Sequence, residues 1–271
     1  MRASLHHDGL QEGVVEARAY QLEAVDVALS SSTLLVLPTA AGKTAVAWMV
    51  MAEMLERTKG WALMIAPTAA LVKQHLDDLE LVFDKHLTQP ISMSGAIPPS
   101  KREGMWNKGR LVVSTPQVVR NDVNRGLLDL SDCCLLIIDE AHHSTGERAE
   151  AQVADLYLEF ANKPLILGMT ASPGSNIQKV EGICNRLRVG RIHLRTSEDD
   201  MLSEHLANLE IEELIVRVPN EIRELVEPFI RWQETIVERE RRLGRYVMPG
   251  AVTHRGLANA MERANLAVRR G

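Results

Sequence analysis

A glycine-lysine-threonine string follows a short apolar run and precedes a stretch with helical spacing. It ends the sequence Leu-Pro-Thr-Ala-Ala-Gly-Lys-Thr at residues 37–44. In such a loop, successive backbone N–H groups turn toward phosphate oxygens at the N-terminus of a helix. Lys43 would reach the β- and γ-phosphates, and the Thr44 hydroxyl would ligate Mg²⁺. The residues predicted to bind the nucleotide here are Thr39, Ala40, Ala41, Gly42, Lys43 and Thr44.

An acidic pair closes another apolar run, and such a pair is the usual complement of a phosphate loop. Residues 135–142 read Leu-Leu-Ile-Ile-Asp-Glu-Ala-His. Asp139 would hold Mg²⁺, mainly through water, and Glu140 would orient and deprotonate the attacking water, as phosphoryl transfer requires. Acidic residues are also common at helix starts, and Leu37 stands where the strict loop pattern has glycine. The two strings together still favour a site for a nucleoside triphosphate and Mg²⁺.

Both strings lie at the ends of short apolar runs that predict strands. Five such runs occur, at residues 33–37, 62–66, 111–114, 134–138 and 165–169. They show little alternation of apolar and polar residues, which is typical of strands buried on both faces of a parallel sheet. Stretches with helical spacing, such as 43–58 and 69–86, lie between them. This order predicts a doubly wound α/β fold, in which ligands bind at the carboxyl ends of the strands.

Composition and charge exclude several classes of protein. Of 271 residues, 45% are hydrophobic and 25% are charged, which is ordinary for a soluble globular protein. The net charge of -5 argues against a nucleic-acid binder that relies on overall charge, but not against a local basic groove. No apolar run approaches the ~18–20 residues of a membrane span, and the N-terminus lacks the apolar core of a signal peptide. We therefore expect a cytoplasmic protein that makes no use of a membrane.

The C-terminal segment differs in charge from the rest of the chain. Residues 221–271 contain ten Arg, no Lys and seven Glu, a net charge of +3, which predicts a boundary near Pro219. Just before it, residues 211–218 are a possible strand. From Asn220 onward apolar residues recur at helical spacing, and Pro228 is predicted to kink or break this helix. A second helix is predicted over residues 256–270.

Six short blocks follow one another in a fixed order. They are Arg-Ala-Tyr-Gln at 18–21, the phosphate loop at 37–44, Ala-Pro-Thr-Ala-Ala-Leu-Val-Lys-Gln-His at 66–75, Ser-Thr-Pro-Gln at 114–117, Asp-Glu-Ala-His at 139–142 and Thr-Ala-Ser-Pro-Gly-Ser at 170–175. Over roughly residues 15–200 they resemble the motifs of the first RecA-like motor domain of superfamily 2 helicases. The last block is similar to that of the archaeal Hef and Fanconi anaemia M group. RNA-sensing helicases such as Dicer are related to this group.

The resemblance implies that the first block recognises adenine. Gln21, with Arg18, would hydrogen-bond the exocyclic amine and a ring nitrogen of adenine, which selects ATP over GTP. Read without the resemblance, Tyr20 and Gln21 could be a half-buried pair on the surface of an amphipathic helix. The cofactors implied are ATP and Mg²⁺.

The resemblance also assigns residues near strand ends to nucleic acid and to coupling. Those implied to touch the nucleic-acid backbone, which positions a strand without reading its sequence, are Thr68, Lys73, Thr115 and Gln117. Those implied to relay the state of the nucleotide are His142, Thr170 and Ser172. The alternative is that these residues only form turns and helix caps, in which Pro-Thr and Ser-Pro-Gly sequences are common.

The organisation that the resemblance predicts has three parts. Residues 1–200 would form the first RecA-like ATP-binding helicase domain, 201–220 a connector with a possible strand, and 221–271 the start of a helical insertion. The chain contains no Gln-x-x-Gly-Arg-x-x-Arg block, the arginine-finger motif of a second RecA-like domain. We expect the motor domain of a helicase or translocase for branched or fork DNA, whose ATP hydrolysis requires that second domain. The alternatives are an RNA-directed helicase and a nucleic-acid-binding module that holds nucleotide without turnover.

Overall fold

The computed structural model describes residues 3–4, 7–84, 88–106, 108–174, 176–196, 198–199, 202, 219–250 and 252–270. The chain divides into two compact units, the first Met1–Asn208 and the second Leu209–Gly271. The domain bounds near residues 200 and 220 stay predictions. The predicted strand at 211–218 lies outside the described residues.

The strands of the first unit form a short antiparallel pair and one large parallel sheet. The pair consists of β1 (Ala3–Ser4) and β2 (Glu16–Ala17). The large sheet contains β3 (Thr33–Val36), β4 (Trp61–Ile65), β5 (Ile91–Met93), β6 (Leu111–Ser114), β7 (Cys133–Ile138), β8 (Ile166–Thr170) and β9 (Arg191–Leu194). Its order is β5-β6-β4-β7-β8-β3-β9, and each neighbouring pair is parallel.

Helices cover both faces of this sheet. In the described part of the first unit they are α1 (Ala19–Ser30), α2 (Lys43–Arg57), α3 (Ala69–Val82), α4 (Pro99–Trp106), α5 (Pro116–Asn124), α6 (Ala149–Phe160) and α7 (Ile177–Arg186). Buried residues of α1, α2 and α3 belong to one hydrophobic core, and those of α4 to α7 belong to a second. The predicted α/β architecture, with helices on both faces of a parallel sheet, is confirmed.

The inner strands have continuous apolar sequences because they separate these two cores. In β7, Leu135 and Ile137 enter the first core, whereas Leu136 and Ile138 enter the second. Side chains of a strand point alternately to opposite faces, so a strand with a core on each side needs apolar residues at every position. This explains why the five inner strands could be predicted, with bounds within one residue.

The two edge strands, β5 and β9, were not predicted. Among the described strands each has a single neighbour in the sheet, and β9 exposes Arg191, Ile192 and Leu194 while burying His193. An edge strand need not be apolar throughout, so the sequence pattern that marks the inner strands is missing from it.

The second unit consists, in its described residues, of a helix at Asn220–Arg242 and a helix at His254–Arg270. Val237, Tyr246 and Ala260 form a small core between them. The Tyr246 hydroxyl accepts a hydrogen bond from the backbone N–H of Thr253 at 3.1 Å, which fixes the turn before the second helix. That helix begins two residues before its predicted start at residue 256.

Pro228 lies inside the Asn220–Arg242 helix, so of the two predicted outcomes the break is wrong and the kink stays a prediction. Proline removes one backbone donor and crowds the preceding turn, but the turns on either side keep their own hydrogen bonds, and the helix continues through it. Among the described residues, no helix has both the length and the apolar character needed to cross a membrane.

Candidate nucleotide and nucleic-acid site

The predicted phosphate loop connects the end of β3 to the start of α2. Gly42 is the N-cap of α2 and has a φ of +79°, in the left-handed region that glycine adopts without strain. A Cβ atom on Gly42 would lie 2.2 Å from Gln21 Nε2. The backbone conformation therefore favours glycine, and a side chain at this position would displace the Gln21 amide. The loop leaves the free N–H groups of the first turn of α2 as donors to an anion.

The Lys43 ammonium lies inside this loop. Its Nζ donates to the carbonyl oxygens of Leu37 at 2.9 Å and Pro38 at 3.1 Å. Burial lowers the pKa of Lys43, and the carboxylates of Glu140 and Asp139 oppose that shift. The lysine and the acidic pair, which come from different segments of the chain, therefore act on one another electrostatically.

Tyr20 and Gln21 attach α1 to the phosphate loop. The Tyr20 hydroxyl donates to the Ala41 carbonyl at 2.9 Å, and Gln21 Nε2 donates to the carbonyls of Ala41 at 3.3 Å and Gly42 at 3.4 Å. Their exposed fractions are 1% and 3%, so the alternative of a half-buried surface pair is wrong. Arg18 adds two contacts, because its backbone N–H donates to Gln21 Oε1 at 2.9 Å and its Nη1 donates to Tyr20 Oη at 3.0 Å.

The acidic pair follows β7 at the same edge of the sheet. The Asp139 backbone N–H donates to the Ile65 carbonyl at 3.0 Å, and Asp139 Oδ1 accepts from the Glu140 backbone N–H at 3.1 Å. Glu140 has a φ of +53°. A left-handed conformation at a residue with a side chain costs about 1–3 kcal/mol, and such strain is concentrated at functional sites.

His75 contacts the acidic pair, and the sequence did not identify it. Its Nε2 lies 3.0 Å from Asp139 Oδ2, and 5% of the residue is exposed. On α3 it shares one buried face with Val72, Leu79 and Val82. A histidine within an apolar helix face needs a polar partner, and this pattern was the available signal.

The three predicted coupling residues lie next to one another. His142 Nδ1 is 3.1 Å from Thr170 Oγ1 and 3.1 Å from Glu140 Oε2. Thr170 ends β8, the neighbour of β7, and its hydroxyl accepts from the Ser172 backbone N–H at 3.1 Å. The contacts join the Asp-Glu-Ala-His block to the Thr-Ala-Ser-Pro-Gly-Ser block, and they also close the local turn that was the alternative interpretation.

The residues predicted to contact nucleic acid follow β4 and β6, which are neighbours in the sheet. Thr68 is the N-cap of α3, and its Oγ1 accepts from the Leu71 backbone N–H at 3.2 Å. Thr115 holds the N-cap position of α5 without a side-chain cap bond, and Gln117 is exposed. Lys73 is exposed and forms an ion pair with Asp77 that raises its pKa. Thr68 thus has a capping function, and contact with nucleic acid stays a prediction for all four.

The donors at this edge fit Mg²⁺ chemically. Mg²⁺ in nucleotide sites keeps several waters and takes one or two protein oxygens besides the phosphates. Thr44 is half-buried in the first turn of α2. Each Asp139 oxygen has one hydrogen bond to the protein and keeps a lone pair for the ion or one of its waters. Among the described residues, no group of three or more His, Cys, Asp or Glu side chains could hold a metal ion on its own.

Comparisons with known proteins agree with this arrangement. The family model described as DEAD/DEAH box helicase matches residues 18–180. A Methanocaldococcus jannaschii protein, provisionally named ATP-dependent RNA helicase MJ1505, is 38% identical over 81% of this chain. The ATP-dependent DNA helicase fml1 of Schizosaccharomyces pombe is 30% identical over 83%, and the Fanconi anemia group M protein homolog of Mus musculus is 31% identical over 80%. This chain spans 28%, 27% and 11% of the lengths of these relatives.

A solved structure shows the same fold. The helicase domain of Pyrococcus furiosus Hef superposes with a TM-score of 0.68 and is 28% identical, covering 94% of this chain and 55% of that one. The parallel sheet with helices on both faces is therefore that of a RecA-like helicase domain. The chain belongs to the DEAD/DEAH box helicase family.

Proposed function

We propose that this chain is the ATP-binding motor domain of a superfamily 2 DNA helicase or translocase that acts on branched or fork DNA. The observation that carries the proposal is the placement of Lys43, in the loop after β3, and of Asp139 and Glu140, after β7, at the carboxyl ends of strands of one parallel sheet. The two carboxylates there oppose the lowering of the Lys43 pKa by burial. A lysine in a phosphate loop beside a metal-binding and a base carboxylate is the equipment of phosphoryl transfer. The DNA part is supported by relatives such as fml1, which is named as a DNA helicase, and the fork-DNA part by the resemblance of residues 170–175 to the Hef and Fanconi anaemia M group.

ATP would bind with its phosphates at the loop of residues 39–44 and its adenine beside Gln21 and Arg18. Thr44 and Asp139 would hold Mg²⁺, which neutralises charge on the phosphates when bound. Glu140 would orient the attacking water and take its proton. Its contact with His142 would join this base to Thr170 and Ser172, which relay the state of the nucleotide.

Hydrolysis would require a second RecA-like domain of the parent protein. That domain would supply an arginine to the charge that builds on the γ-phosphate, a contribution of about 10³–10⁵ in rate. The proposed organisation keeps residues 1–200 as the first motor domain, 201–220 as connector and 221–271 as the start of a helical insertion. The protein would act inside the cell, in the cytoplasm, and in association with the nucleoid if its source is prokaryotic.

Nucleic acid would lie across the neighbouring ends of β4 and β6, touching Thr68, Lys73, Thr115 and Gln117 through its backbone. Because phosphate contacts carry no sequence information, binding would be independent of base sequence. An RNA-directed helicase is the second candidate, favoured by the name of the Methanocaldococcus jannaschii relative.

Binding titrations separate the two candidates. Fluorescence anisotropy would compare a forked DNA duplex, two unrelated single-stranded DNA sequences and a double-stranded RNA at one salt concentration. We expect the fork to bind most tightly and the two single strands to bind equally. The double variant Thr68→Ala/Thr115→Ala should lower the affinity for every DNA. Lys59→Ala is the control, because Lys59 precedes β4 and therefore lies at the amino ends of the strands, away from the proposed site. Preference for RNA would support the second candidate, and strong preference for one base sequence would contradict backbone contact.

A further inference from the structure

We propose that His75 is a positioning residue for Asp139: it holds the carboxylate in the orientation in which Asp139 binds the Mg²⁺ that accompanies ATP. The inference rests on the proposed function, because it presupposes that Asp139 serves a nucleotide-bound metal. It assigns to α3 a contribution to the nucleotide site in addition to the nucleic-acid contacts proposed for that helix.

The Asp139 carboxylate is held at both of its oxygens. Oδ1 accepts from the Glu140 backbone N–H at 3.1 Å, and Oδ2 lies 3.0 Å from His75 Nε2. The first donor belongs to the turn after β7 and the second to α3. Two donors on separate elements fix the side-chain torsions of Asp139, and each oxygen keeps a lone pair for the metal or its waters.

The contact defines which nitrogen of the imidazole carries the proton. An ionised carboxylate only accepts hydrogen bonds, so His75 Nε2 must be the donor. The other ring nitrogen, Nδ1, is buried and has no hydrogen-bond partner among the described residues. Asp139 is thus the polar partner that the structure shows for this ring.

Packing alone does not account for a histidine at this position. Its neighbours on the buried face of α3 are Val72, Leu79 and Val82, and an aliphatic side chain there would avoid burying an unsatisfied ring nitrogen. A cost of this kind is expected where the polar group serves a functional side chain. Partners that orient metal ligands typically change metal affinity by about 10–100-fold when they are removed.

The test is the Mg²⁺ dependence of ATP binding by the whole chain, measured by calorimetry. ATP would be titrated in excess EDTA and at a series of Mg²⁺ concentrations, for the wild type and two substitutions. In His75→Gln the amide nitrogen reaches the position of Nε2, whereas in His75→Asn it reaches only that of Nδ1. We expect His75→Asn to raise the Mg²⁺ concentration at half-saturation about tenfold, with the affinity in EDTA unchanged, and His75→Gln to restore most of the loss.

Two controls separate positioning from stability. His193→Asn replaces another buried histidine, on β9, and we expect it to leave the Mg²⁺ dependence unchanged. If His75→Asn unfolds too readily to be titrated, His75→Leu takes its place, since it also removes the donor and suits the apolar face of α3. The same rise in half-saturation is expected.

Three results would overturn the proposal. An unchanged Mg²⁺ dependence in the variants without a donor would do so while leaving the proposed function intact. So would an equal loss of affinity in EDTA and in Mg²⁺, because that is what disturbed packing produces. A wild-type chain that binds no ATP would overturn the proposed function, and the role of His75 with it.

Discussion

The side chains proposed to bind nucleotide and those proposed to bind nucleic acid lie at one edge of the same sheet, but they are held very differently. We call the first group the nucleotide cluster and the second the backbone-contact set. The nucleotide cluster consists of Gln21, Lys43, Asp139 and Glu140. Gln21 and Asp139 form hydrogen bonds to distant segments of the chain, Lys43 donates to two carbonyls of its own loop, and Glu140 contacts His142. The backbone-contact set consists of Thr68, Lys73, Thr115 and Gln117, whose side-chain contacts in the structure are local.

The difference fits what the two groups must do. Catalytic groups gain from a geometry fixed in advance, because no reorganisation is then needed as charge develops. Side chains that follow a sequence-independent backbone gain more from remaining free to adjust. If the difference holds, variants should affect turnover most, the stability of α5 and of the phosphate loop less, and the salt dependence of DNA binding least.

The largest effect concerns turnover. We expect this chain alone to hydrolyse ATP very slowly, because an arginine of a second RecA-like domain contributes about 10³–10⁵ in rate, or roughly 4–7 kcal/mol of barrier. A longer protein that includes such a domain should recover DNA-stimulated turnover in a phosphate-release assay. Glu140→Gln in that longer protein should abolish turnover and spare ATP binding. Robust turnover by the 271 residues alone would refute the requirement.

The next effect concerns α5, the helix that carries Thr115 and Gln117 of the backbone-contact set. On α5, Asp122 is fully buried and accepts from Arg102 at 2.6 and 2.7 Å and from Trp106 at 3.0 Å. Removing one member of a buried ion pair costs about 3–5 kcal/mol. We therefore expect Arg102→Ala to lower the free energy of unfolding by this amount in denaturant titrations.

A matched pair on the surface provides the control for that measurement. Arg186 and Asp155 form the same two-point contact, but both are partly exposed. Exposed ion pairs contribute about 0–1 kcal/mol, so Arg186→Ala should have a much smaller effect. Similar losses in the two variants would show that α5 is not specially anchored.

A smaller loss of stability is expected at the phosphate loop. Gly42→Ala introduces a Cβ at a φ of +79° and 2.2 Å from Gln21 Nε2. We expect a loss of about 1–3 kcal/mol in the free energy of unfolding, together with weaker ATP binding. Gly126 has a φ of +71°, and a Cβ atom added there would meet no heavy atom within 4 Å, so Gly126→Ala isolates the backbone cost. Equal effects in the two variants would mean that the contact with Gln21 does not constrain the loop.

The smallest effect concerns the backbone-contact set itself. We expect a shallow dependence of DNA affinity on salt, corresponding to about two to four released ions. Lys73→Ala should reduce this slope by about one, and Asp77→Asn, which frees Lys73 from its ion pair, should strengthen binding. Lys59→Ala at the amino ends of the strands should leave the slope as it is. An unchanged slope in Lys73→Ala would remove this residue from the set.

The sequence predicted the parts of this molecule in which each residue has one dominant constraint. The inner strands are examples, because a core on each face requires apolar residues throughout. The phosphate loop and the acidic pair are others, since their chemistry restricts the residue types. The six motif blocks then predicted the family, which the comparisons confirmed.

Other features could not be predicted because they depend on contacts between distant segments. Gln21 is predicted to recognise adenine, but its hydrogen bonds to Ala41 and Gly42 exist only once α1 lies beside the loop. His75 and Asp139 are brought together by the neighbouring positions of β4 and β7 in the sheet. The left-handed backbone of Glu140 has no signature in the sequence. Pro228, conversely, gave a local signal for a break that the rest of its helix overrides.

A calorimetric titration of this chain with ATP and with GTP in the presence of Mg²⁺ tests the proposed nucleotide site most directly. We expect ATP to bind about tenfold or more tightly than GTP, since two hydrogen bonds from Gln21 and Arg18 would distinguish the bases. We also expect Lys43→Ala to weaken binding of ATP more than binding of adenosine, because the lost charge faces the β- and γ-phosphates. Equal affinity for ATP and GTP, or a Lys43→Ala variant that binds ATP as the wild type does, would refute the proposed nucleotide site.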